Sequence, residues 1–155
     1  MNNWFEVKVV YPGIDQTTGN EKKIKESYLA NAVNFSDAET MVSKELEQIA
    51  KQGFKVDAIK RSNITEVLAN NNESGYWFRV KIKHMTIDEI SAREKMTNTY
   101  MLVESDSAKN VSKCVDNETK DWIVDPEIVS ITETAFVAIL IPESFKTETY
   151  DQKDK

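Results

Sequence analysis

In WFEVKVVY, residues 4–11, Phe5, Val7 and Val9 fall on one side of an extended chain and Trp4, Glu6 and Lys8 on the other. A period of two predicts a half-buried strand. Pro12, Gly13 and Gly19 mark a turn region after it. IKESYLANAV, residues 24–33, predicts a second strand, and the two are expected to form a hairpin. The period then lengthens. Ser36-Asp37-Ala38-Glu39 has the form of a capping box. It opens a helix with Ala38, Met41, Val42, Leu46 and Ile49 on one stripe, and Gly53 supplies a left-handed stop. FKVDAIKRS, residues 54–62, predicts a third strand.

The second half repeats this plan. GYWFRVKIKHM (75–85) and KMTNTYMLVES (95–105) predict another hairpin. A shorter helix over 106–117 would turn Ala108, Val111, Cys114 and Val115 inward. Asp125-Pro126 introduces a long strand, EIVSITETAFVAILI, with a bend or break near Glu133 and a stop at Pro142. LANNNESG (68–75) joins the copies, and TETYDQKDK reads as a frayed polar tail.

Laid on itself, the chain shows a repeat. Trp4-Phe5-Glu6-Val7-Lys8-Val9 answers Trp77-Phe78-Arg79-Val80-Lys81-Ile82 at a shift of 73. Tyr28-Leu29 answers Tyr100-Met101 at 72, residues 36–38 answer 106–108 at 70, and residues 56–59 answer 128–131 at 72. One copy alone would have a bare sheet edge and a thin core. The expected fold is therefore α+β: tandem ββαβ repeats (3–67 and 76–141) forming one pseudo-twofold domain over 1–145. It would have an antiparallel sheet of about six strands, two helices on one face, and a polar tail over 146–155. Face-to-face packing of the copies is the alternative.

At 155 residues the chain has the length of one domain or two very small ones. Its net charge is −6, with 20 basic and 26 acidic residues. That balance argues against a broad basic nucleic-acid surface but leaves room for a local patch. Residues 1–70 hold 9 basic and 10 acidic groups and residues 71–155 hold 11 and 16, so the acidic excess lies in the second half. A single cysteine excludes an internal disulfide, and a single histidine excludes a zinc site of Cys and His ligands. With no apolar run of membrane-spanning length and no secretory pattern at the start, a reducing, cytoplasmic setting is expected.

If the helices cover the Phe5 and Phe78 sides, the other face displays Trp4, Glu6, Lys8, Trp77, Arg79 and Lys81. Aromatic rings with cationic neighbours on a sheet form stacking platforms for single-stranded nucleic acid. The same residues suit packing under a loop, or a protein interface, including a homodimer. The nucleic-acid or partner face is therefore assigned to Trp4, Lys8, Trp77, Arg79 and Lys81.

Catalytic patterns are weak. His84 ends a strand with no second ligand nearby and is expected at a solvent-facing edge, while Cys114 falls on an inward stripe. Asp121, Asp125 and Glu127 surround Trp122, Asp88-Glu89 sits in a turn, and Asp57, Lys60 and Glu66 lack the order of a nuclease set. With four glycines and no phosphate-loop motif, neither an enzyme nor a cofactor is expected, and no metal.

WFEVKV, ESYLANAVNFSDAE, VDAIKRSNITEV, WFRVKI and KMTNTYMLVE resemble an uncharacterised conserved domain, catalogued as a domain of unknown function in Bacteroidetes bacteria and their phages. The similarity covers residues 3–140 and implies a small intracellular protein, phage-encoded or carried on a mobile element, without established catalytic residues. The expectation is a non-enzymatic binding protein that touches single-stranded nucleic acid through the aromatic and basic face. The alternative is a protein-interaction or structural module, such as a virion component or host-system inhibitor.

Overall fold

The computed structural model describes residues 3–69 and 76–142. Eight strands and two helices follow one another as β1 (Asn3–Ile14), β2 (Glu21–Ala32), α1 (Phe35–Ile49), β3 (Lys55–Arg61), β4 (Ile64–Leu68), β5 (Trp77–Ile87), β6 (Glu94–Glu104), α2 (Ala108–Thr119), β7 (Glu127–Glu133) and β8 (Phe136–Leu140). The fold is α+β, as expected, but its sheets differ from the expected one. There are two mixed sheets of four strands, ordered β3-β1-β2-β8 and β4-β6-β5-β7. The chain divides into two compact units accordingly, at Ser62/Asn63 and at Ala135/Phe136.

The single sheet of about six strands fails for a local reason. The strand expected over 127–141 breaks at Thr134-Ala135, close to the expected Glu133, and β4 is a strand where none was expected. These two extra strands close the open edges of the hairpins. β8 runs parallel to β2, and β4 runs parallel to β6. Each hairpin thus gains its own flanking strands and the two sheets stay separate. Each helix packs on a sheet of its own.

In the first unit, Phe5, Val7 and Val9 of β1 and Tyr28, Ala30 and Ala32 of β2 meet Ala38, Val42 and Leu46 of α1. In the second, Phe78, Val80, Ile82, Met101 and Val103 meet Val111 and Val115. Each such burial of a large apolar side chain contributes ~1.5–3 kcal/mol. Val7 lies opposite Tyr28, and Val80 opposite Met101. The structural partner of Tyr28 is therefore Met101, at a shift of 73, one residue from the 72 read in the sequence.

The helix starts correct a second offset. Asn34 caps α1 by accepting from the Asp37 N–H at 2.8 Å, and the Asp37 carboxylate accepts from the Val33 N–H. The box thus sits two residues before Ser36. Ser107 caps α2 by accepting from the Asn110 N–H. Asn34 and Ser107 are 73 apart, in place of the expected 70. With the box moved, Ile49 turns outward, Ala108 is exposed and Cys114 is half-buried. Thr119 is the third buried residue of α2, and its hydroxyl donates to the Val115 carbonyl at 2.9 Å. Gly53 does take positive φ, +107°.

The side of each sheet turned away from its helix is not bare. Leu29 and Leu102 alternate with the inward residues of β2 and β6, and both are fully buried.

Candidate functional site

The five residues assigned from the sequence lie on two different sheets, Trp4 and Lys8 on β1 and Trp77, Arg79 and Lys81 on β5. Trp4 and Trp77 hold matching backbone positions. The Trp4 carbonyl accepts from the Ser62 N–H and the Trp77 carbonyl from the Thr134 N–H, each at 2.8 Å. Their side chains differ in exposure. Trp4 is half-buried, whereas Trp77 is only 8% exposed. Lys8 is exposed, and Arg79 and Lys81 are half-buried. Beside Trp4, Asn31 holds a buried Oδ1 without a hydrogen-bond partner among the described residues. A stacking platform needs a free ring face, and Trp77 offers very little.

The other singled-out groups also have definite places. His84 is half-buried, with Nε2 2.6 Å from the Thr99 hydroxyl and its ring edge-on to Trp122 at 5.3 Å. It is thus part of a packed cluster, in place of the expected solvent-facing edge. Among the described residues, no group of three His, Cys, Asp or Glu side chains converges as a metal site would require. Glu66 of β4 shares a hydrogen bond with Glu118 of α2, and burial together with that neighbour raises its pKa above the usual carboxylate range.

What the residues do bring together is a pair of clefts at corresponding ends of the two hairpins, each of about 590 Å³. The turns that close the hairpins are built alike. Asp15 donates its N–H to the Asn20 carbonyl and accepts from the Gly19 and Thr17 N–H groups. Asp88 donates to the Arg93 carbonyl and accepts from the Ala92 and Ile90 N–H groups. Gly19 and Ala92 take φ of +75° and +57°. The linings then part company. The first cleft has Tyr11, Phe54, Lys23, Lys25, Lys55 and Asp57. Tyr11 donates to Glu26 at 2.7 Å, which helps hold the Tyr11 hydroxyl up to about 12.

The second cleft is walled by Met85, Ile87, Trp122, Ile123 and Val124, with His84, Thr86 and Glu94 as its charged or polar members. Met85, Ile87, Ile123 and Val124 are all exposed, as are Ile90 at the turn and Met96, which pairs with Met85. Ile90 is 99% exposed and Ile123 has no shielding at all. Glu94 is the one carboxylate in the lining, with exposed Lys95 next to it in sequence, and exposed Lys120, Asp121, Asp125 and Glu127 lie along the segment that carries Trp122.

None of these apolar residues was assigned from the sequence. A signal was present: Ile90, Ile123 and Val124 interrupt polar turn segments where no core position calls for an apolar side chain. Large apolar side chains grouped on a surface mark an interaction site. A family model described as a domain of unknown function matches residues 3–143. No curated protein and no solved structure matches the chain. No helix among the described residues is long and apolar enough to cross a membrane.

Proposed function

The chain belongs to the DUF4494 family, and from its own geometry we propose a non-enzymatic protein-interaction module that docks a partner in the cleft of the second unit. The observation that carries the proposal is the grouping of Met85, Ile87, Ile123 and Val124, all exposed, in the lining of one cleft, with exposed Met96 paired to Met85. Leaving such side chains in water forgoes ~25 cal/mol for each Å² a partner could cover. The Glu94 carboxylate in the lining favours an apolar segment flanked by Lys or Arg over an acidic one. Trp122, set against His84 at the floor, would be the central anchor.

Constant spacing supports one ancestral ββαβ piece, copied in tandem. Pairing partners, helix caps and buried helix positions recur at 73 residues, and β3 and β7 at 72. The phage or mobile-element setting and a cytoplasmic location belong to the same proposal and rest on sequence resemblance.

The test is selection of peptides from a random display library on the full chain. Enriched peptides should carry apolar residues with basic flanks. Their binding should fall at least tenfold for Ile87→Asp and for Ile123→Asp, which are exposed and leave the circular dichroism unchanged. Failure to enrich, or peptides indifferent to both substitutions, would overturn the proposal.

A further inference from the structure

The first cleft gathers basic side chains on a chain whose net charge is −6. Lys23 and Lys25 alternate on one face of β2, about 7 Å apart at Cα. Lys25 pairs with Val10 from one side, and Lys55 pairs with Val10 from the other. All three lysines are exposed and line the same cleft, where Asp57 is the one carboxylate in the lining. Like charges gathered this way repel one another, and a bound anion relieves that repulsion. Half-buried Tyr11 and Phe54 line the same cleft from the helix side of the sheet, where both pack against the core. At about 590 Å³ the cleft has the volume of a small-ligand site.

We propose that this cleft is a nucleotide site, with phosphate on Lys23, Lys25 and Lys55 and the base against Tyr11 and Phe54. Ammonium groups are point-charge binders of phosphate, and aromatic walls accept any base because every base has a π-face. A free nucleotide and a nucleotide within a single strand offer the same chemistry. The site is independent of the apolar cleft, so either can fail without the other.

The full chain is titrated with labelled oligo-dT by fluorescence anisotropy and with ATP by calorimetry, at 50 mM salt. Binding of either probe should weaken at least tenfold in the Lys23→Glu/Lys25→Glu double variant. It should stay within twofold in Lys95→Glu/Lys120→Glu, which alters exposed lysines of the second unit. Binding of ATP alone identifies a free nucleotide as the ligand, and binding of oligo-dT alone identifies a strand. For a strand touching three lysines, raising salt to 200 mM should cost about 20-fold in affinity. Should the double variant lose its fold by circular dichroism, Lys55→Glu is read the same way. The proposal is overturned if neither probe binds at 50 mM salt. Binding that survives the lysine changes, or inorganic polyphosphate binding as tightly as the nucleotides, overturns it equally.

Discussion

Near the turn that closes the β1/β2 hairpin stand Lys23 and Lys25, with Lys55 on the neighbouring strand; at the matching places of the second unit stand Met96, Asn98 and Glu127. The backbones beneath them are alike down to the Asp-anchored turns and the irregularity in register at Lys8/Val9 and Lys81/Ile82. The inward residues are alike too: Phe5 and Phe78, Val7 and Val80, Val42 and Val115. Packing under a helix constrains volume and polarity at every inward position. The cleft side carries no such constraint, so one frame supports a cationic cleft and an apolar one. The units also differ at a few interior places, and those differences can be measured.

The largest expected effect separates Leu46 from Thr119, the third buried position of each helix. Leu46→Ala removes a fully buried side chain and should cost ~2–5 kcal/mol through lost transfer energy and the cavity left behind. Thr119→Ala removes less volume and one hydroxyl that already bonds within its own helix, so about 1 kcal/mol is expected. Denaturant unfolding of the two variants decides the ranking, and equal costs would show that the two helices bear on their sheets alike. Probes in each unit, such as Trp4 and Trp122, would show whether the units unfold together.

Next in size is an alkaline effect confined to the first unit. Tyr28 is buried, and burial followed by the nearby Glu26 charge holds its hydroxyl up to about 12. Tyr11 is held at about 12 as well, chiefly by its hydrogen bond to Glu26. In the unfolded chain both titrate near 10. Between pH 10 and 12 the unfolded state therefore loses protons that the folded state keeps, and stability falls as pH rises. Met101, the counterpart of Tyr28, has no proton to lose. Tyr28→Phe should flatten the decline of melting temperature across that range relative to the unaltered chain. The comparison cancels the lysines that titrate there in both.

Much of this plan was legible in the residues. Alternation in WFEVKVVY and WFRVKIKH identified both central strands, and the apolar stripes of 38–49 and 108–115 identified both helices, although Ile49 and Ala108 turn outward. Two things were hidden. Ile64–Leu68 is a short run whose strand character comes from pairing with β6, a partner far along the chain. The break at Thr134-Ala135, by contrast, was expected near Glu133, and there the Thr134 N–H and hydroxyl both donate to the Trp77 carbonyl. Burial of Trp77 depends on tertiary surroundings that alternation cannot reveal, since alternation names a side of the strand and not what covers it. The apolar cleft went unread because exposed isoleucines in turns follow no period.

The smallest effect tests the shared turn itself. Gly19 and Ala92 occupy the same place after Asp15 and Asp88, both with positive φ. The left-handed region costs a residue with a Cβ about 1–2 kcal/mol, and glycine almost nothing. Ala92→Gly should relieve that cost. Glycine's greater freedom in the unfolded chain offsets part of the gain, by ~0.4–1 kcal/mol. The net stabilisation should thus be about 0.5–1 kcal/mol. Gly19→Ala should lose a similar amount, because open space around Gly19 leaves φ as the only obstacle. Opposite signs from the two substitutions, read as shifts in denaturant midpoint with unchanged slope, would establish that the turns are the same device. A stabilising Gly19→Ala would mean that the first turn does not depend on glycine, and the likeness of the two hairpin ends would then stop at their aspartates.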